Sequence, residues 1–82
     1  MIPLFGFLEH DTLGLLIMAY PSDTVLQLIE KLQISAAVRV NPRPNMKLIY
    51  KNNIIAPKLT VNELNLQPLD HFFVIEGSDV NV

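Results

Sequence analysis

Pro21-Ser22-Asp23-Thr24 stands where a long apolar segment gives way to an amphipathic helix, and the reading of that junction decides the fold. Upstream the chain runs Ile2-Pro3-Leu4-Phe5-Gly6-Phe7-Leu8, breaks at Glu9-His10-Asp11, and continues apolar from Leu13 to Tyr20. Two strand-length apolar runs joined by a short polar turn predict a β-hairpin. Downstream Val25, Leu28, Ile29 and Leu32 recur at i, i+3, i+4 and i+7, the spacing of one buried helix face. Thr24 is placed to cap that helix: its hydroxyl can accept from the Gln27 backbone N–H while the Gln27 side chain reaches back.

A hairpin followed at once by a helix with one apolar stripe requires further strands to complete a layer, and the remaining sequence supplies them. Met46-Lys47-Leu48-Ile49-Tyr50 reads as a short strand, Lys51-Asn52-Asn53 as a turn, and Ile54-Ile55 as a stub strand ended by Pro57. Thr60-Val61-Asn62-Glu63 has the spacing of a second capping box and predicts a single helical turn, with Leu64 and Leu66 pointing inward. Pro68-Leu69-Asp70 reads as a turn before the last strand, Phe72-Phe73-Val74-Ile75. The resulting order, β-β-α-β-β-(short helix)-β, resembles that of ubiquitin, as does the Pro-Ser-Asp-Thr start of the helix. The expected class is α+β, a ubiquitin-like β-grasp with a mixed sheet of four to five strands on one helix. It would occupy residues 1–76, with a flexible tail over 77–82. Val25, Leu28, Ile29 and Leu32 should pack on strands containing Leu4, Leu15, Ile49 and Phe73 or Val74.

Eighty-two residues suffice for one domain and one core, and leave little room for an internal active site. With no cysteine there is no disulfide framework, thiolate metal site or cysteine nucleophile. The N-terminal apolar run is interrupted by Pro3, Gly6 and Glu9 and has no basic leader, so neither a signal peptide nor a membrane span is expected, and a cytoplasmic protein is.

Two features of composition are unusual. Half the residues are hydrophobic and the mean hydropathy is +0.33. A sheet with one wet face should alternate apolar and polar residues. Here Leu15, Leu16, Ile17, Met18 and Ala19 put apolar side chains on both faces, as do Leu4 with Phe5 and Phe7 with Leu8. Scattered apolar residues occur on any surface, but one helix covers one face only, and a doubly apolar hairpin points to cover by another chain. Charge is also segregated. All six cations, Lys31, Arg39, Arg43, Lys47, Lys51 and Lys58, lie mid-chain with no acid between Glu30 and Glu63, while the net charge is only −2. A solvated basic side accounts for this most simply, a dock for an acidic partner next. Nucleic acid fits poorly, since only Tyr50 is interleaved as a stacking ring.

No catalytic constellation emerges. Glu9-His10-Asp11 offers three ligand types in succession, but consecutive turn residues rarely converge on one ion. Asp70-His71 has neither a nucleophile nor a glycine-rich loop to work with. P-loop, dinucleotide and zinc spacings are missing. The chain is expected to have no catalytic residue, no cofactor or metal of its own, and no bound small-molecule substrate.

With these motifs placed, the chain resembles the small B (γ) subunit of toluene-monooxygenase-type hydroxylases, ubiquitin-like polypeptides of bacterial multicomponent diiron monooxygenases. Pro3, Glu9-x-Asp11 and Leu13 resemble that family's opening. Asp23-Thr24-Val25-x-Gln27-Leu28-x-Glu30-Lys31 resembles its helix, and the two patterns run in step from Pro3 to Lys31. Arg39-Val40-x-Pro42-Arg43, Pro57-Lys58 with Leu59-Thr60-Val61, and Leu66-x-Pro68 continue the likeness. The chain departs from the pattern where alternating arginines of the third strand give way to Lys47, Leu48, Ile49 and Tyr50, in loops shorter by about a residue around Asn45 and Lys58, and where Asn65 replaces a glycine.

The resemblance implies a non-catalytic structural subunit docked on the hydroxylase large subunit, which would hold the diiron centre and take electrons through a ferredoxin and a reductase. This chain would contribute no iron ligand. A partner interface is expected at Leu16 or Ile17, whichever faces out, and at Arg39, Pro42 and Arg43, where arginine forks in a proline-stiffened loop suit carboxylate recognition. The alternative is a stand-alone ubiquitin-like interaction module, such as a secretion-system component. Conjugation and sulfur carriage are not expected, because Glu76-Gly77-Ser78 offers no terminal diglycine.

Overall fold

In the computed structural model, which describes residues 1–77, the elements run β1 (Ile2–Leu8), β2 (Gly14–Ala19), α1 (Val25–Ala36), β3 (Met46–Tyr50), β4 (Asn53–Ile55) and β5 (His71–Glu76). The strands form one five-stranded sheet in the order β2-β1-β5-β3-β4. The β1–β5 pair is parallel and the other pairs are antiparallel, so the sheet is mixed. Helix α1 crosses a single face of the sheet, and Val25, Leu28, Ile29 and Leu32 are buried there as the apolar spacing requires.

Local chemistry explains why the helix begins where it does. Thr24 and Gln27 form the expected capping box, with the Thr24 hydroxyl accepting from the Gln27 N–H at 3.2 Å and Gln27 Oε1 accepting from the Thr24 N–H at 2.8 Å. Two other N–H groups of the first turn, which a helix cannot satisfy itself, find carbonyls elsewhere: Val25 donates to Leu59 and Leu26 to Pro57, while Leu28 makes the first intrahelical bond to the Thr24 carbonyl. The second box forms at Thr60 and Glu63, and Val61 is fully buried behind it. Two polar caps thus face each other across one seam, and the Val61 N–H donates to the Asp23 carbonyl.

Pleat parity decides which apolar residues enter the core. Leu4, Leu8, Ile17, Ala19, Leu48, Phe72 and Val74 face the helix. One expectation needs correcting here. From β3 it is Leu48, with Met46, that enters the core and not Ile49, because Ile49 lies one step along the pleat and pairs with Phe73 and Ile54 on the opposite face. Of the two β5 candidates the buried one is Val74.

Gly6 is also buried, and a Cβ there would lie 2.8 Å from the Phe72 ring and 2.9 Å from Leu32. A side chain smaller than alanine is what lets the helix sit this close to β1. The turn from β3 to β4 has two central residues, Lys51 and Asn52, both with positive φ (50° and 66°), the type that matches strand twist. Asn53 belongs to the strand, not to the turn. Gly77, the first residue of the expected tail, is buried and donates to the Asn45 carbonyl. The rest of the expected tail lies outside the described residues. No helix among the described residues is long and apolar enough to cross a membrane.

Candidate functional site

The face of the sheet turned away from α1 is apolar across all five strands. Strand pairing lays its side chains out in rows. Leu16, Phe5 and His71 form one row from β2 through β1 to β5. Phe7, Phe73, Ile49 and Ile54 form the next, from β1 to the β4 edge. Met18 beside Pro3 extends the patch at one end, and Ile75 beside Lys47 at the other. Leu16, Met18, Ile54 and Phe73 are between 41% and 55% exposed, high for large apolar side chains on one continuous surface.

Its centre is a ring cluster. Phe7 stacks on Phe73 with centroids 5.2 Å apart, and His71 lies edge-on to Phe5 at 5.6 Å and tilted against Phe7 at 5.4 Å. Gly14, opposite Phe7, makes room for this arrangement, since a Cβ there would stand 2.6 Å from the ring. These residues hold one another in place by offset and edge-on packing.

The interface residues expected from the sequence divide. Leu16 is exposed on this face, whereas Ile17 is 3% exposed and packs toward the helix, so it cannot touch a partner from there. Pro42 is exposed in its loop. Arg39 and Arg43 are already occupied within the chain, which removes the premise that they are free to read a partner's carboxylate. Arg39 grips Asp11 with Nε and Nη2 at 3.0 and 2.9 Å, joining the segment after α1 to the hairpin loop. That hydrogen bond leads the contributions that hold the Asp11 carboxyl below its usual range and raise Arg39. Arg43 bonds Glu76 and lies 3.8 Å from Glu9, whose Oε1 also accepts the Glu76 N–H at 3.0 Å. Both arginines are internal clasps.

Three polar contacts had no counterpart in the sequence reading. Buried Gln33 accepts from the Arg43 N–H at 2.8 Å and donates to its carbonyl at 3.1 Å, so a helix side chain imitates a strand partner. The signal was present, since Gln33 and Ala36 continue the stripe begun at Val25, but a polar residue reads as the stripe's margin. Burial alone would raise Asp23, yet the Lys31 ammonium at 2.5 Å and the Tyr20 N–H at 2.8 Å outweigh it and keep the carboxyl low. Lys31 also donates to the Met18 carbonyl, so the two groups cover backbone positions on the exposed edge of β2. Asp70 accepts from the Gln67 N–H and from the Tyr50 hydroxyl at 2.9 and 2.7 Å, which lower it, while the same contact pushes Tyr50 up to about 12.

Nothing in this arrangement forms a reaction centre. Among the described residues no three His, Cys, Asp or Glu side chains gather to hold a metal ion. Two grooves among the described residues are open and shallow, one of about 230 Å³ between β2 and α1 and one of about 360 Å³ between α1 and the loop before β3. What the geometry offers is surface.

Comparison with known proteins gives that surface a context. A chain of the toluene 4-monooxygenase HD complex with the inhibitor 4-bromobenzoate superposes with a TM-score of 0.83 at 24% identity, covering 92% of this chain and 96% of that one. Ubiquitin from Caldiarchaeum subterraneum superposes at 0.74 and 20% identity, over 92% and 91% of the two chains. ATBAG1 in complex with HSP70 gives 0.74 at 17%, over 93% of this chain and 40% of that one. These likenesses show the ubiquitin-like fold. No curated protein matches in sequence. The family model of toluene-4-monooxygenase system protein B (TmoB) matches residues 1–75. On that match the chain belongs to the TmoB family, as an accessory subunit of a multicomponent monooxygenase.

Proposed function

We propose that this chain is a structural subunit that docks on the large subunit of a diiron hydroxylase and helps to hold that subunit's fold, without taking part in the chemistry. The observation that carries the reading is the amount of large apolar side chain that the single helix leaves uncovered on so small a domain. A free monomer gains nothing from such exposure, and a permanent complex buries it. In this reading the iron ligands all belong to the partner, the complex is cytoplasmic, and this chain binds neither nucleic acid nor a small-molecule substrate. The toluene 4-monooxygenase complex whose component superposes here supports a hydroxylase partner in general.

Co-expression of the chain with a diiron hydroxylase large subunit from the same source tests the reading. The expected result is co-elution of the two through gel filtration in high salt, because apolar burial is insensitive to screening. A large subunit that folds, binds iron and turns over equally well without this chain, and never co-elutes with it, would overturn the proposal.

A further inference from the structure

We infer that docking uses the outer sheet face, with the Phe5–Phe7–Phe73–His71 ring cluster at the centre of contact. The large subunit would supply an apolar patch bordered by a carboxylate that meets Lys47, and helix α1 would stay outside the interface. This inference rests on the structural-subunit reading and assigns it an orientation.

Four observations select that face. The first is continuity: two adjacent rows, Leu16–Phe5–His71 and Phe7–Phe73–Ile49–Ile54, together span the sheet from β2 to β4. The exposed apolar residues of α1, Leu26 and Ile34, stand about 12 Å apart along the helix, with Gln27, Glu30 and Lys31 between them. The second is preorganisation. The central rings are held by one another before any partner arrives, so little side-chain freedom is lost on contact, and buried aromatic anchors dominate the energetics of interfaces.

The third is size. Five strands at about 4.8 Å spacing and strand segments of about five residues give a footprint of roughly 20 by 17 Å. That suffices for the dry centre of a standard interface of about 800 Å² per partner once a polar rim is added. The fourth is charge. Lys47 points to this face beside Ile75 and has no ion-pair partner among the described residues. The nearby Glu9 carboxylate is committed to the Glu76 N–H and to Arg43. The outward strand positions of this face carry no carboxylate, so the same face of a second copy offers Lys47 no counter-charge, whereas a different chain can supply one.

The test is capture of the chain by the tagged, iron-loaded large subunit. Wild type comes first: no capture would sink the functional reading itself. Given capture, Phe73→Asp and Leu16→Asp are each expected to weaken binding by roughly thirtyfold or more. Lys47→Glu should slow association and flatten its salt dependence, while Val38→Asp, in the segment after α1 and 87% exposed, should bind as wild type does. Circular dichroism and thermal melts establish that each variant is folded. Leu16 lies on an edge strand and tolerates a charge even if Phe73→Asp does not fold. The inference is overturned if folded Leu16→Asp binds normally, or if Val38→Asp abolishes capture. It is also overturned if gel filtration of the isolated chain shows a dimer that Leu16→Asp dissolves while capture persists, since the occupant would then be a second copy.

Discussion

Leu69 adopts φ 69°, a left-handed conformation that costs a residue with a Cβ about 1–2 kcal/mol. It occupies the third position of the turn Gln67-Pro68-Leu69-Asp70, closed by the Asp70 N–H donating to the Gln67 carbonyl at 3.0 Å. Proline second and positive φ third describe a type II turn, where glycine is favoured third. The Leu69 side chain is 56% exposed and loses little if removed. Leu69→Gly should therefore stabilise the chain by about 0.5–1 kcal/mol after glycine's extra unfolded-state entropy is counted. An unchanged or lower urea midpoint would show that the leucine has a hidden contact. Asn65 illustrates the tolerated case: it has φ 54° at the position where the family pattern places glycine, and asparagine enters that region readily. The resemblance noted the substitution, and only the backbone explains it. The pairings of Arg39 and Arg43 were illegible for a different reason. Their carboxylates lie 28 and 33 residues away in sequence, and no local pattern announces such a meeting.

Elements were legible wherever their signals are local. Both capping boxes, the buried helix stripe and the succession of strands and helix α1 along the chain follow from spacing within a few residues, while the helical turn expected after Thr60 is a run of turns. Pleat parity did not follow, and the cause is physical. A strand that is apolar on both faces carries no alternation, so Leu16 against Ile17 and Leu48 against Ile49 are undecidable until the partner strands set the register. That ambiguity is itself the mark of the candidate site, because the second apolar face is the one left uncovered. The helix–sheet contact depends on Gly6, where Phe72 and Leu32, both almost fully buried, converge on the space a Cβ would fill. Neither side chain has room to retreat in a close-packed core. Gly6→Ala should cost about 1–3 kcal/mol despite alanine's smaller backbone entropy loss. Denaturant unfolding of that variant at the wild-type midpoint would mean that α1 rides farther from β1 than described.

At the scale of the whole molecule, three carboxylates add ties to the sheet, two between segments that sheet hydrogen bonds do not join and one beside the β3–β5 pair. Asp11 links the hairpin loop to the segment after α1, Asp23 links the end of β2 to the helix, and Asp70 links the approach to β5 to Tyr50 of β3. All three have folded pKa values below the ordinary 3.8. A carboxyl depressed by folding contributes stability that is fully present above its unfolded pKa and lost as pH falls through the folded one. Stability should therefore hold from neutral pH down to about 5 and fall away below about 4. Tyr50 works in the opposite sense. Its pKa is raised to about 12, so its contribution is complete below the unfolded value of about 10 and disappears as pH climbs through about 12. Asp70→Asn separates charge from shape, since an amide oxygen can still accept from the Gln67 N–H and the Tyr50 hydroxyl. Wild type should be the more stable at pH 7, and the difference should shrink as the pH falls below about 4 and on through the depressed folded pKa of its carboxyl. Urea titrations of the two proteins from pH 7 to pH 3 check this. A gap that stays constant over that range would assign the effect to packing and remove the ionised Asp70 from the forces that hold β5 to β3.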